Sequence, residues 1–191
     1  MIPYYKYVGG DPCSSSPLYD GYYNDRQFKM VYKDKFWFDL EVRGFEILKE
    51  KSYAPKLLSV DIDNNTLVFD WTNSKNINHI INFNEDLPIN WQEQIKNIII
   101  DLEMSSLYKI NLYPWTFYVK DSNIHVMDLY ACLPVDDVVY KKDIYHILND
   151  KDRFKFNNNI LDIQATYQHT LKHIVEPWLG KIINDYIYRN M

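Results

Sequence analysis

The sequence predicts an α+β fold in which a small antiparallel sheet with one helix precedes a larger, mainly helical part that contains one β-hairpin. Two observations support this prediction. In the first third, short runs of β-branched and aromatic residues alternate with turn-forming residues, as is typical of strands. Further along, apolar residues recur every three or four positions over long stretches, which indicates helices with one buried face.

The composition fits one folded domain, expected to span residues 1–191. Of the 191 residues, 47% are hydrophobic and 5 are glycine, which is enough apolar material for a packed core. The net charge of -5 and the lack of a dense Lys/Arg run argue against nucleic-acid binding. No apolar run approaches the ~18 residues of a membrane span, and no secretory signal is evident. We expect a cytoplasmic protein without a nucleic-acid or membrane partner.

The first half of the chain predicts strands around a single helix. The helix is expected at residues 36–51, where Phe38, Val42, Phe45 and Leu48 recur at helical spacing. A cluster of turn formers predicts a loop at residues 9–17. Strands are expected at residues 4–8, 28–32, 57–62 and 66–71.

The second half predicts helices interrupted by one hairpin. The hairpin strands are expected at residues 116–119 and 124–127, with a turn between them. Pro177 should bend or end the last helix because it lacks an amide donor and crowds the preceding turn. The helices are expected at residues 91–108, 137–148 and 160–189, with a polar break at 156–159.

Lys29 lies in the expected strand Phe28-Lys29-Met30-Val31-Tyr32, and Glu41 lies twelve residues later on the following helix. This arrangement resembles the strand lysine and helix glutamate of the protein-kinase and small-molecule-kinase superfamily, here called the protein-kinase-like superfamily. The resemblance implies that Lys29 meets nucleotide phosphates while Glu41 holds its ammonium group in place. Glu46 is the alternative partner, and an unrelated pair of surface charges is the simpler alternative.

The segment Ala54-Pro-Lys-Leu-Leu58 leads into Leu67-Val-Phe-Asp-Trp71, which resembles the fourth and fifth strands and the hinge of the same superfamily. The resemblance implies that Phe69 guards the back of an adenine pocket. It also implies that the backbone from Asp70 through Trp71 to Thr72 bonds the adenine edge. The alternative is an apolar hairpin that serves only the core.

The segment Lys109-Ile-Asn-Leu-Tyr-Pro-Trp-Thr116 stands between the long helix and the second hairpin. It resembles the His-Arg-Asp-Leu-Lys-Pro-Glu-Asn motif of the superfamily, and Leu112 and Pro114 match that motif in register. The resemblance places Asn111 at the position of the catalytic aspartate and Lys109 at that of the histidine.

Asp128-Leu-Tyr130 follows the second hairpin where the superfamily carries Asp-Phe-Gly. The resemblance implies that Asp128 and Thr116 hold Mg²⁺, a cation that prefers oxygen ligands. Together these similarities imply a minimal protein-kinase-like fold, with an N-terminal lobe at residues 1–71 and a C-terminal lobe at residues 72–191.

The departures from the motif fall on the groups that complete phosphoryl transfer. An amide such as Asn111 does not accept a hydroxyl proton as a carboxylate does, and Thr116 is a poorer metal ligand than asparagine. The loop at residues 9–17 lacks the spaced glycines that close over phosphates. The groups expected to hold a metal-nucleotide are retained. We therefore hypothesise a pseudokinase that binds ATP and Mg²⁺ and has a protein partner.

Two alternatives stay open, so the sequence leaves enzymatic activity undecided. One is an active, divergent phosphotransferase, because transfer depends mainly on positioning and electrostatics, whereas a general base contributes about 10²- to 10⁴-fold. The other is an α+β interaction protein that binds no nucleotide. His169 and His173 share a predicted helix face but lack a third ligand, so no metal site is expected there.

Overall fold

The computed structural model describes residues 6–7, 18–134, 139–140, 160–161 and 163–179. The chain separates into two compact units, one of residues 1–91 with 114–130 and one of residues 92–113 with 131–191. The first unit continues past the lobe boundary expected after Trp71, and the single-domain interpretation stays a prediction. The expected loop at 9–17 and polar break at 156–159 lie outside the described residues.

The first unit contains a five-stranded antiparallel sheet with the order β1-β2-β3-β5-β4. The strands predicted near residues 4–8, 28–32, 57–62 and 66–71 are confirmed, whereas β2 was not predicted. Their bounds are β1 Lys6–Tyr7, β2 Tyr19–Tyr23, β3 Gln27–Tyr32, β4 Leu57–Asp61 and β5 Thr66–Asp70.

Strand β3 has one buried face and one partly exposed face. Phe28, Met30 and Tyr32 are buried, and the residues between them are half-buried. Since successive side chains of a strand point to opposite faces, Lys29 projects from the face opposite to Phe28 and Met30. The pairing of Phe28 with Phe69 on β5 extends the buried face across the sheet.

Helix α1, at Lys35–Leu48, confirms the helix predicted for residues 36–51. Asp34 caps its start by accepting a hydrogen bond from the Phe36 amide at 2.7 Å. Gly44 faces the core, and a Cβ at this position would overlap the Leu129 carbonyl group. The helix therefore approaches that backbone closely only because residue 44 has no side chain.

A second, three-stranded sheet with the order β6-β8-β9 completes the first unit. Asn76 connects its parts, because its side chain caps α2 through the Asn78 amide at 2.8 Å and donates to the Trp115 carbonyl at 2.7 Å. The bounds are β6 Ser74–Asn76, α2 Ile77–Asn82, β8 Phe117–Lys120 and β9 Asn123–Val126, which confirms the predicted hairpin.

The helix predicted for residues 91–108 is confirmed as α3, but it ends at Met104. Ser106 adopts a positive φ of 55°, which stops the helix, and the chain continues as strand β7, Leu107–Lys109. Strand β7 pairs with β10, Cys132–Pro134, in the second unit.

The helix prediction for the end of the chain is partly wrong. Residues expected as helical instead form strands β11, Val139–Tyr140, and β12, Ile160–Leu161, which pair with each other. The rest of the helix expected at 137–148 lies outside the described residues. Helix α4, Ile163–Thr170, then leads through a π turn at Leu171–Val175 into α5, Glu176–Leu179. Helical structure continues through Pro177 to Leu179, so the helix does not end at this residue, and the bend expected there stays a prediction.

Candidate functional site

A small cavity lies in the first unit, where the resemblance places the nucleotide base. Phe69 and Trp71, expected at the back of the adenine pocket and at the hinge, both line it. Its volume is about 10 Å³, which is close to the minimum that holds one water molecule. The lining residues are Phe28, Met30, Glu41, Pro55, Phe69, Trp71, Tyr118, Met127 and Asp128.

Three aromatic rings fill most of this region. Trp71 contacts Phe28 with ring centroids 5.3 Å apart, and it contacts Tyr118 with ring centroids 4.9 Å apart. Tyr118 is 1% exposed, and burial raises the pKa of its hydroxyl group. Trp71 lies between the other two rings and, unlike them, is only half-buried. The cavity is therefore small because large side chains occupy the space.

Glu41 is buried at one wall of the cavity, where it is 1% exposed. Its two carboxylate oxygens accept hydrogen bonds from the backbone amides of Leu129 at 3.1 Å and Tyr130 at 2.8 Å. Burial, with a smaller contribution from the charge of Asp128, raises the pKa of Glu41 to about 7. The two amide hydrogen bonds act in the opposite direction but do not cancel the cost of burying the charge.

Asp128 follows strand β9 with a positive φ of 55° and is 6% exposed. The Tyr19 hydroxyl donates a hydrogen bond to its Oδ1 at 2.9 Å. Burial and the negative charge of Asp128 raise the pKa of Tyr19 well above its ordinary value. Left-handed backbone is uncommon outside glycine, although Asp and Asn tolerate it best. The carboxylate predicted to bind Mg²⁺ thus has a buried donor within its own unit.

Lys29 and Glu41, expected as a pair, lie in the same unit, but only Glu41 lines the cavity. Met30 is the β3 side chain that lines the cavity with Glu41. Lys29 projects from the other face of the sheet. Hydrogen bonds from Asn64 are the main cause of the lowered pKa of Asp61 on β4, and the charge of Lys29 makes a minor contribution. The lining residues of the cavity, all within the described part of the chain, include no lysine or arginine.

Asp70 is engaged in an ion pair with Lys120 of β8 at 2.8 Å. This hydrogen bond is the main reason that the pKa of Asp70 falls to about 2. Lys56 lies at 3.9 Å from the same carboxylate. Asp70 therefore connects the end of β5 to the second sheet of the unit.

The backbone amides expected to bind adenine already donate hydrogen bonds within the protein. The Asp70 amide donates to the Lys56 carbonyl at 2.8 Å, and the Trp71 amide donates to the Arg26 carbonyl at 2.8 Å. The Thr72 amide donates to the Asp70 side chain at 3.0 Å. In this conformation the hinge presents no uncommitted amide among these three residues.

Thr116, the second expected metal ligand, is fully buried at the end of a 3-10 turn, and its carbonyl accepts from the Met127 amide at 2.7 Å. Within the described ranges, no group of three or more His, Cys, Asp or Glu side chains is arranged to hold a metal ion. A Mg²⁺-nucleotide does not fit this cavity as it stands, because the cavity has the size of a water molecule.

Lys109 and Asn111 lie in the second unit and contact each other. The Lys109 Nζ donates to the Asn111 Oδ1 at 2.7 Å, and the two residues are 1% and 4% exposed. An ammonium group has only donors, so the amide oxygen of Asn111 must face it. The backbone of Ile110, between them, is also held by hydrogen bonds. Its amide donates to the Ala131 carbonyl at 3.0 Å, and its carbonyl accepts from the Thr170 hydroxyl at 3.2 Å.

Some residues that line the cavity, Met30 and Tyr118 among them, were not predicted as site residues, and neither was Tyr19, which donates to Asp128 beside it. Tyr19 lies on a strand that the sequence did not predict, and Tyr118 was treated as an ordinary hairpin residue. Met30 had a usable signal, because strand alternation places it on the same face as the apolar Phe28 and places Lys29 on the other.

The fold is similar to that of solved kinases, whereas the sequence is not. The bifunctional kinase-methyltransferase WbdD gives a TM-score of 0.54 at 12% identity over 69% of this chain and 34% of that chain. The crystal structure of monomeric WbdD gives a TM-score of 0.52 at 10% identity over 69% of this chain and 37% of that chain. The Rio2 kinase ADP/Mg²⁺-phosphoaspartate complex from Chaetomium thermophilum gives a TM-score of 0.50 at 10% identity over 86% of this chain and 55% of that chain.

These similarities confirm the expected minimal protein-kinase-like fold, with an antiparallel sheet and one helix followed by helices and a hairpin. The likeness concerns the fold alone, and the chain spans about a third of the length of the WbdD chains it matches. No protein-family model and no curated protein matches the sequence. Among the described helices, none is both long and apolar enough to cross a bilayer.

Proposed function

We propose that this chain, which has a protein-kinase-like fold, is a pseudokinase. It acts as a binding or scaffolding module for a protein partner and does not transfer phosphate. One observation carries the proposal: Glu41 and Asp128, the carboxylates expected at a Mg²⁺-nucleotide, accept hydrogen bonds from the protein's own donors beside a cavity of about 10 Å³. A cavity of this size holds at most about one water molecule. Substrate-sized pockets are generally 300–1,000 Å³. A separate cavity of the same unit, lined by Trp71, Lys75 and Asp121 among others, reaches about 630 Å³ but contains neither Glu41 nor Asp128.

The charges around the cavity also support this proposal. Phosphoryl transfer relies on positive groups that stabilise the charge of the transferring phosphate. Here two buried carboxylates face the cavity, and none of the described residues that line it is a lysine or an arginine. Burial and, after it, the negative charge of Asp128 raise the pKa of Glu41 to about 7. A polyphosphate placed at this wall would meet repulsion instead of stabilisation.

The chemistry of Asn111 provides further support. A side-chain amide does not act as a general base, a contribution worth about 10²- to 10⁴-fold. The Lys109 ammonium at 2.7 Å fixes the orientation of this amide. No other carboxylate is assigned to this role by the sequence resemblance.

Binding of ATP and Mg²⁺, which the resemblance implies, is the second candidate function. The observation that favours it is the left-handed backbone of Asp128 at the end of a strand, because such conformations persist mainly where the surrounding structure and function require them. Binding would require Trp71 and Tyr118 to leave their present positions. A protein partner, a cytoplasmic location and the lack of nucleic-acid and membrane partners stay predictions.

Single-turnover loss of the ATP γ-phosphate in the presence of Mg²⁺ tests the proposed function. The wild-type chain should give the same rate as buffer. Asp128→Asn is the matched control, since asparagine tolerates the left-handed backbone and removes only the charge. A wild-type rate above buffer that Asp128→Asn abolishes would show that the chain is an active phosphotransferase.

A further inference from the structure

We infer that Phe28, Trp71 and Tyr118 occupy the place of a nucleotide base, so that the wild-type chain excludes a purine and admits one when a ring is removed. The inference rests on the proposed function, because it explains why a kinase-like chain binds no nucleotide at this position. It also names the ligand class that the vacated cavity takes: a flat, uncharged heteroaromatic ring.

The three rings form a continuous row across two sheets of the same unit. Phe28 comes from the middle of the first sheet, Trp71 follows its β5 strand, and Tyr118 comes from β8 of the second sheet. The centroid distances of 5.3 Å and 4.9 Å are contact distances for aromatic pairs. Tyr118 also stacks on His125 at 5.1 Å, which supports its ring from the side of β9.

These rings are held by regular structure rather than by a loose loop. Phe28 is 2% exposed, and its strand pairs on both sides, with β2 and with β5. The Trp71 amide is fixed by the Arg26 carbonyl. Because close-packed interiors resist the shift of large side chains, the filled cavity is the stable state of this unit.

Removal of one ring should leave a usable cavity. Large-to-small substitutions in a core leave space that the surroundings only partly fill, and an engineered cavity of about 150 Å³ is enough to bind benzene. Trp71 is half-buried, so its truncation opens the space towards solvent. Truncation of Tyr118, which is buried, enlarges the inner end instead.

The chemistry of the walls predicts which ligands such a variant prefers. The amides of Asp70, Trp71 and Thr72 already donate within the protein, so the ring would be held by stacking and burial. Among the residues that the structure describes, the cavity is lined by Glu41 and Asp128 and by no lysine or arginine, so phosphates would add no affinity. Adenosine should therefore bind at least as tightly as ATP with Mg²⁺.

Thermal-shift and calorimetric titrations with adenosine, and with ATP and Mg²⁺, test the inference on the wild-type chain, Trp71→Ala and Tyr118→Ala. Phe117→Ala is the matched control, because Phe117 is fully buried on the same strand and does not line the cavity. A ligand that binds only the folded state raises the melting temperature by mass action. We expect no shift for the wild type or Phe117→Ala, and at least about tenfold tighter adenosine binding for the two cavity variants.

Two results would overturn the inference. Wild-type binding as tight as that of the variants would mean that the rings do not exclude the base. Folded cavity variants that bind neither ligand would mean that the vacated space does not accept a purine. Trp71→Ala is the variant expected to keep its fold, because the Trp71 side chain is only half-buried. It therefore keeps the test valid if the other cavity variant unfolds. Failure of the proposed function is a separate result, because it appears as γ-phosphate loss in the wild type.

Discussion

The Glu41 carboxylate accepts a hydrogen bond from the backbone amide of Tyr130 at 2.8 Å, across 89 positions of the chain. A second bond from the adjacent Leu129 amide completes the contact. Hydrogen bonds to the buried carboxyl group of Glu41 therefore connect helix α1 to residues 129 and 130, which follow β9. In the sequence resemblance the same carboxylate was expected to hold a lysine.

The first prediction is that the stability of the protein falls as the pH rises from 5 to 8. The pKa of Glu41 is raised from 4.5 to about 7 in the folded state, so folding favours the protonated form. The stabilisation is fully present below about pH 4.5 and is lost as the pH rises through 7. The expected loss of unfolding free energy is on the order of 2 kcal/mol, measured by urea denaturation at several pH values.

Glu41→Gln should remove this pH dependence, because an amide does not titrate. Glu46→Gln is the matched control on the same helix, where Glu46 is exposed and pairs with Lys49, and it should keep the wild-type slope. An unchanged slope in Glu41→Gln would show that another group causes the pH dependence.

The second prediction concerns the close approach of α1 to the Leu129 backbone. Gly44→Ala should destabilise the protein by more than about 2 kcal/mol, although alanine favours helices by about 1 kcal/mol over glycine. The reason is the overlap of the added Cβ with the Leu129 carbonyl group. Ile47→Ala, at an exposed position of the same helix, should change the unfolding free energy far less. A stable Gly44→Ala variant would contradict this packing.

The third prediction concerns the ion pair of Asp70 and Lys120 at 2.8 Å. The pKa of Asp70 is lowered from 3.8 to about 2, so its stabilisation is present above about pH 4 and is lost as the pH falls through 2. Lys120→Met should cost about 1 kcal/mol at pH 7, and the difference from the wild type should shrink towards pH 2. Lys56→Met, which removes the more distant and exposed lysine, should cost less than about 0.5 kcal/mol.

The fourth prediction concerns Asn111 and its buried neighbour Lys109. Asn111→Asp is nearly isosteric and places a carboxylate 2.7 Å from the Lys109 ammonium, which should hold the new pKa low and make the group a weak base. We expect γ-phosphate loss to stay at the wild-type level. Asn111→Leu leaves the ammonium without its amide acceptor, so it should destabilise the protein by about 3 kcal/mol. A rise of about 10²-fold for Asn111→Asp would favour an active phosphotransferase.

Much of the first unit could be predicted from local patterns. The residues Phe28 to Tyr32 alternate in burial as a strand does, and the polar Asp63-Asn64-Asn65 turn separates two apolar strands. Strand β2 could not be recognised in this way. Its residues include a glycine and no β-branched side chain, and pairing with β3 holds it in place.

Non-local contacts also explain the errors elsewhere. The apolar spacing that predicts a helix through Tyr108 continues into Leu107, but the positive φ of Ser106 ends α3, and β7 pairs with β10 about 25 positions later. The roles expected for the site residues stay predictions. A motif fixes the order of residues along the chain, whereas the face from which Lys29 projects depends on strand parity.

The most direct test of the pseudokinase interpretation is the free energy of unfolding of the wild-type chain with and without millimolar ATP and Mg²⁺. The account predicts no difference for the wild type or for Asp128→Asn, because Glu41 and Asp128 accept internal hydrogen bonds and the cavity has no room for a base. A nucleotide present at 100 times its Kd would stabilise the folded state by about 2.7 kcal/mol. A gain of that order in the wild type, lost in Asp128→Asn, would contradict the account.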